Sequence, residues 1–196
     1  MYLRTVGKEE ATGEVARIYE EGLAHMGFVM EADSCLTTRP DLLPLVQNFL
    51  DQARGNFSLG LRAWRLITLV AAKQVPSTYC SYVYGKQLVA DLGSREKVLA
   101  VQRDFRSAGL DEKEVAMLAY AEQIARDASK IAQADIDRLR AVGFTDLEIS
   151  DIALCASFRC FLSRFIDAVG AQPEPVFFDA DPALREALTV GRRFEA

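Results

Sequence analysis

Residues Arg65–Gly85 read RLITLVAAKQVPSTYCSYVYG, and this stretch decides the fold. It predicts a helix, a break at Pro76, and a second helix with a cysteine in its first turn. Cys80 lies three residues after Ser77 and four before Tyr84. Helical neighbours fall at i+3 and i+4, so Ser77, Cys80 and Tyr84 share one stripe. Ser77 follows Pro76 as an N-cap would. A thiol at a helix start meets unpaired N–H donors and the positive end of the macrodipole, both of which favour the thiolate.

Outward from that stretch the chain reads as helices. No proline falls between Pro76 and Pro173, and Gly93, Gly109, Gly143 and Gly170 each follow a helix-like segment, where glycine closes a helix. A first helix is expected over residues 12–26, with Val15, Ile18, Tyr19, Leu23 and Met26 inward. Residues 27–40 read as a loop. A helix after Pro40 turns Leu42, Leu45, Val46, Phe49 and Leu50 inward, and Ser58 caps another over 59–74. The Cys80 helix covers 77–92, and Ser94 caps the next. Asp111 opens a helix to about residue 129, and a short one covers 133–142. Thr145-x-x-Glu148 is a capping box that opens a long helix ending at Val169.

That long helix is apolar over most of its circumference, which places it in the core or between subunits. The tail over 171–196 reads as a proline-rich arm with a short helix after Asp181-Pro182. Its Val176, Phe177 and Phe178 need a surface to pack on. Nothing alternates as strands do. The expectation is one all-α domain over 1–196, with 171–196 as its C-terminal arm.

Composition narrows the function. A chain of 196 residues builds a real core. The net charge of −5, with no basic block, disfavours nucleic acid and anionic membrane as partners. The apolar runs are too short to span a bilayer, and MYLRTVGKEE carries no secretory h-region, so a cytoplasmic location is expected. The four cysteines, Cys35, Cys80, Cys155 and Cys160, form no C-x-x-C pair, which argues against zinc or a local dithiol. Cys155 and Cys160 sit roughly 140° apart around one helix, too far to bridge. The single histidine, His25, leaves no multi-histidine metal site. No Gly-rich phosphate loop follows a strand, so no cofactor is expected. The greasy long helix points to a homo-oligomer.

YLRTV near the start, EATGEVARIYEE, RLITLVAAKQV, SAGLDEKEVAMLAYAEQIARDAS, GFTDLEISDIAL and the closing DPALREALTVGR, taken together and in order, resemble one family. It is the peroxidase-related branch of the alkylhydroperoxidase D / carboxymuconolactone decarboxylase superfamily. The resemblance covers nearly the whole chain and implies an all-helical, alkylhydroperoxidase D-like fold that is commonly oligomeric, as a dimer, trimer or hexamer. The family's active centre is a Glu, eleven residues, a resolving Cys, two residues, the peroxide-attacking Cys, three residues and a His. On that frame Cys80 matches the attacking thiol. Ser77 stands at the resolving position, Arg65 at the Glu position and Tyr84 at the His position.

The resemblance therefore implies thiol-dependent reduction of small hydroperoxides with a centre reduced to Cys80. Ser77 forms no disulfide, Arg65 is no base, and Tyr84 has a reference pKa near 10. Three readings stay open. Cys80 works as a one-cysteine thiol regenerated by an external thiol reductant, with Arg65 beside it and Tyr84 donating a hydrogen bond. Alternatively Cys80 is a remnant, Arg65 pairs with a carboxylate elsewhere, and the scaffold is a non-catalytic binding protein. The third is a decarboxylase-like small-molecule activity in the same pocket. Gly85 inside a helix costs roughly 1 kcal/mol against alanine and implies close approach of another backbone. Trp64 reads as a core anchor, and His25 as a surface or interface residue.

Overall fold

The computed structural model describes residues 1–195. Its α-helices run in the order α1 Gly13–Met26, α2 Glu31–Leu36, α3 Leu43–Gly55, α4 Gly60–Gln74, α5 Thr78–Leu92, α6 Arg95–Asp104, α7 Glu112–Asp127, α8 Gln133–Ala141, α9 Asp146–Val169 and α10 Pro182–Leu188. No strand occurs among the described residues. None of their helices is long and apolar enough to cross a membrane.

Capping residues fix several of the boundaries. The side chains of Ser77, Ser94 and Asp111 accept backbone N–H bonds at the starts of α5, α6 and α7. Thr145 and Glu148 make the reciprocal bonds of a capping box at α9. Gly93 and Gly170 end α5 and α9 at φ 82° and 83°, backbone that other residues rarely adopt.

The core is a packed set of α4, α5, α7 and α9. α4 is its centre: Leu66, Ile67 and Leu69 are fully buried. Each contributes about 2 kcal/mol by leaving water. Trp64 is buried beside them and meets Phe57 edge-on, with centroids 5.2 Å apart. α9 crosses this core with Ile152 and Ile166 buried, while Leu154 and Phe161 face outward.

Several expectations from the sequence are corrected, the first being Met26, which ends α1 exposed and not inward. The loop over 27–40 contains α2, too short to show a period and opened by Glu31 and Asp33 near its positive end. Ser58 does not cap α4: its N–H bonds Asp151, and Leu59 holds the cap position with no side-chain bond. α3 keeps only part of the expected face, with Val46 and Leu50 packed on the core. Leu43 is its buried residue, while Leu42, Leu45 and Phe49 line the outside. The neighbour that excludes a side chain at Gly85 is no backbone. A Cβ there would lie 2.6 and 2.7 Å from the methyl carbons of Leu188.

The arm packs on its own chain. Phe177, Leu184 and Leu188 are buried, and α10 lies on α5 and α6. Gly191 N–H donates to Thr78 Oγ1 at 2.9 Å, in the first turn of α5. Asp179 is buried and held by Arg95 at 2.8 Å and Lys86 at 3.6 Å. Among the described residues of the arm, Val176 is the large hydrophobic side chain that remains exposed.

Candidate active site

Cys80 sits in the first turn of α5, where its N–H donates to Ser77 Oγ at 3.5 Å. Its side chain is buried at 1% exposure. Two side chains from α9 donate to the sulfur: Ser163 Oγ at 3.1 Å and Arg159 Nη1 at 3.4 Å. The other arm of the guanidinium, Nη2, donates to the Tyr84 hydroxyl at 2.7 Å. Cys80 and Tyr84 are i,i+4 neighbours on α5, and Arg159 and Ser163 are i,i+4 neighbours on α9. Two helical turns face each other and close a four-residue cluster.

Arg159 is the uncommon member. It is 3% exposed, and no carboxylate lies within ion-pair distance of it among the described residues. Its Nε has no hydrogen-bond partner. Burial works against the charge, but attraction to Tyr84, Cys80 and Cys155 outweighs it, so the guanidinium titrates above its ordinary range. A buried cation without a carboxylate needs another anion, and the groups at hand are a thiol and a phenol.

Arg65 is not at the sulfur. Its Nη1 binds both oxygens of Asp91, at 2.8 and 2.9 Å, which is the carboxylate pairing left open above. The guanidinium against Cys80 comes from a helix 79 residues further on. Ser77 acts here as the N-cap, buried and without a sulfur to offer. Tyr84 reaches the cluster through Arg159. The signal for Arg159 was present in the sequence: it interrupts the most apolar face of α9, where a charge survives only with a purpose.

A cavity of about 640 Å³ opens beside the cluster, lined by Cys80, Tyr84 and Arg159 together with Tyr79, Val83 and Leu162. Asp33 lines it too. Burial, then the charge of Glu174, push its carboxyl up to about 7. Glu174, from the arm, accepts the Tyr79 hydroxyl at 3.2 Å and is itself raised by burial. His25 stands exposed at the rim.

The other thiols are apart from this chemistry. All four cysteines are unbridged. Burial pushes Cys35 and Cys155 up to about 12 and raises Cys160 as well. Cys155 donates to the Trp64 carbonyl, and no thiol is hydrogen-bonded to Cys80 among the described residues. Nor do those residues gather three or more His, Cys, Asp or Glu side chains as metal ligands would be.

No protein-family model matches the sequence, and neither does any curated protein. Solved structures do match. An uncharacterized peroxidase-related protein from Ralstonia eutropha JMP134, described as an alkylhydroperoxidase AhpD core, superposes with a TM-score of 0.82 at 22% identity, over 90% of this chain and 94% of that one. A peroxidase-related protein from Silicibacter sp. TM1040 gives 0.78 at 22%, over 84% and 86%. The debrominase Bmp8 gives 0.75 at 18%, over 95% of each chain. A cysteine-to-alanine variant of that debrominase has been solved with 2,3,4-tribromopyrrole and matches equally well. These likenesses, with the helix order above, establish that the chain has the alkylhydroperoxidase D-like fold.

Proposed function

We propose that the protein is a one-cysteine thiol enzyme that reduces small hydroperoxides at Cys80. The observation that carries this reading is the pair of donors on one sulfur, Arg159 at 3.4 Å and Ser163 at 3.1 Å, beside a cavity. The guanidinium supplies the positive charge that an attacking thiolate requires. The thiolate attacks the terminal peroxide oxygen: an S–O bond forms, the O–O bond breaks, and the alkoxide takes a proton. Tyr84 is the donor, since its hydroxyl accepts from Arg159 and keeps its own hydrogen free. It therefore acts as an acid toward the leaving group and regains its proton from solvent. Cys80 becomes a sulfenic acid. Ser77 and Arg65 serve as cap and structural ion pair, and the reductant is an external thiol.

The test is direct. One equivalent of hydroperoxide should consume one fast-reacting thiol and add one dimedone per chain by intact mass, and Cys80→Ser should abolish both. An unchanged thiol content after peroxide overturns the reading and leaves a binding protein on the same scaffold.

The likeness to a debrominase supports a second reading on the same sulfur. An aryl bromide and two thiols yield the arene, a disulfide, bromide and a proton. Bromide release from a bromopyrrole in the presence of a thiol, lost in Cys80→Ser, would favour this reading over peroxide reduction.

The same reading takes the protein to be a cytoplasmic homo-oligomer. Supporting self-association, Phe49, Phe158 and Phe161 form a contiguous aromatic group, with Phe49 and Phe161 42% and 53% exposed.

A further inference from the structure

We infer that oxidised Cys80 is reduced by a small thiol that carries a carboxylate, bound through Arg159, and not by a protein dithiol. The inference rests on the peroxide reading above and names its second substrate. Three observations lead to it.

The first is access. Cys80 is 1% exposed and reached through the cavity. A small thiol can enter that cavity, whereas a cysteine held on the surface of a folded partner meets a sulfur that is almost wholly covered. The second is the lack of an internal relay. All four cysteines are unbridged, and no thiol is hydrogen-bonded to Cys80 among the described residues, so no second cysteine stands ready to carry the oxidation outward. The reductant must therefore come to the sulfur itself.

The third observation sets its charge. Arg159 is buried, with Nε unpartnered and no carboxylate within ion-pair distance among the described residues. When Cys80 is the attacking thiolate of the proposed reaction, the guanidinium 3.4 Å away has its charge compensated. Conversion of Cys80 to a neutral sulfenic acid removes that compensation and leaves a buried cation facing the cavity. The charges at the rim largely cancel among themselves: Arg17 binds Glu21, and Arg54 binds Asp51. Asp33 remains, and its raised carboxyl leaves it partly protonated at neutral pH. An anion is thus attracted to the oxidised site more strongly than to the reduced one.

The steps balance. The incoming thiolate attacks the Cys80 sulfur, an S–S bond forms, and the S–O bond breaks with hydroxide leaving as water after protonation. A second small thiolate attacks the mixed disulfide, releases the Cys80 thiolate and departs as the small-molecule disulfide.

The experiment uses wild-type protein oxidised with one equivalent of peroxide. Decay of the sulfenic acid is followed by quenched dimedone labelling with 3-mercaptopropionate, 2-mercaptoethanol, cysteamine and a thioredoxin-type dithiol protein, with rates normalised to thiolate concentration. The carboxylate thiol should exceed cysteamine by about tenfold or more, with the neutral thiol between them. The dithiol protein should be slower than all three. Arg159→Met should abolish the order and Arg159→Lys should keep its direction. Equal wild-type rates for anionic and cationic thiols, or fastest reduction by the dithiol protein, would overturn this inference while leaving Cys80 oxidation intact. Absence of any sulfenic acid would instead overturn the peroxide reading beneath it.

Discussion

Arg159 Nη1 lies 3.4 Å from the Cys80 sulfur, and the same guanidinium bonds the Tyr84 hydroxyl at 2.7 Å. A single buried side chain thus touches both motif positions on α5 that carry reactive groups. Its removal separates chemistry from stability. Arg159→Met should slow alkylation of Cys80 by iodoacetamide by about tenfold or more, because the charge that favours the thiolate is gone. The fold should not suffer in proportion. A neutral thiol and a phenol leave no buried charge unpaired once the arginine is gone, so the change in stability should stay within about 2 kcal/mol. Urea denaturation alongside the alkylation rate checks both halves, and a parallel loss of the two would contradict the separation.

Arg65 and Asp91 predict a stability effect with no direct chemical one. Arg65→Glu sets two carboxylates together where a bidentate ion pair stood, in partly buried surroundings. A loss of about 2 kcal/mol is expected in chemical denaturation, recovered in large part by adding Asp91→Arg. The Cys80 alkylation rate should stay near wild type in the rescued protein.

Gly85 faces Leu188 across the α5–α10 contact. Gly85→Ala gains helix propensity but drives its methyl into the Leu188 side chain. The net loss should be about 1 kcal/mol or more, since overpacking costs outweigh the propensity gain. Leu188→Ala vacates the space, so the double variant should be less destabilised than the sum of the single ones. Additive losses would show that the two positions do not meet.

Asp33 gives a pH dependence of defined sign. Its folded carboxyl sits at about 7, above the unfolded value of 3.8. Between those values the folded chain holds a proton that the unfolded chain has lost, so this group's contribution to stability falls as pH rises from about 4 through 7. The raised carboxyls of Glu31 and Glu174 act with the same sign. Asp33→Asn should flatten the dependence and stabilise the protein relative to wild type by about 2 kcal/mol more at pH 8 than at pH 5.

Phe49→Glu combined with Phe161→Glu tests self-association. Light scattering should show an oligomer for wild type and a lower-order species for the variant. A wild-type monomer removes the expectation.

The sequence made the frame legible because caps and glycines are local signals. Ser77, Ser94, Asp111 and Thr145 mark their helices without knowledge of the fold. The stripe of α3 was misread because Leu42, Leu43, Leu45, Val46, Phe49 and Leu50 surround most of that helix, so periodicity alone does not choose its buried side. Cys80 was legible as the reactive candidate. The pairing with its partners was not: a charge at Arg159 on the apolar α9 is visible in the sequence, but Arg159 and Ser163 meet Cys80 only through the packing of α9 on α5. Arg65 drew attention by its place in the motif, although a residue at a motif position keeps its role only while its neighbours do.

The Arg65–Asp91 pair bears on how such a centre changes over generations. Glutamate at position 65 costs stability unless position 91 gives up its own negative charge, and loss of the charge at 91 strands the arginine. Either substitution alone leaves a less stable protein. The pair thus works as an interlock: a carboxylate enters at position 65 without loss of stability only if position 91 changes with it.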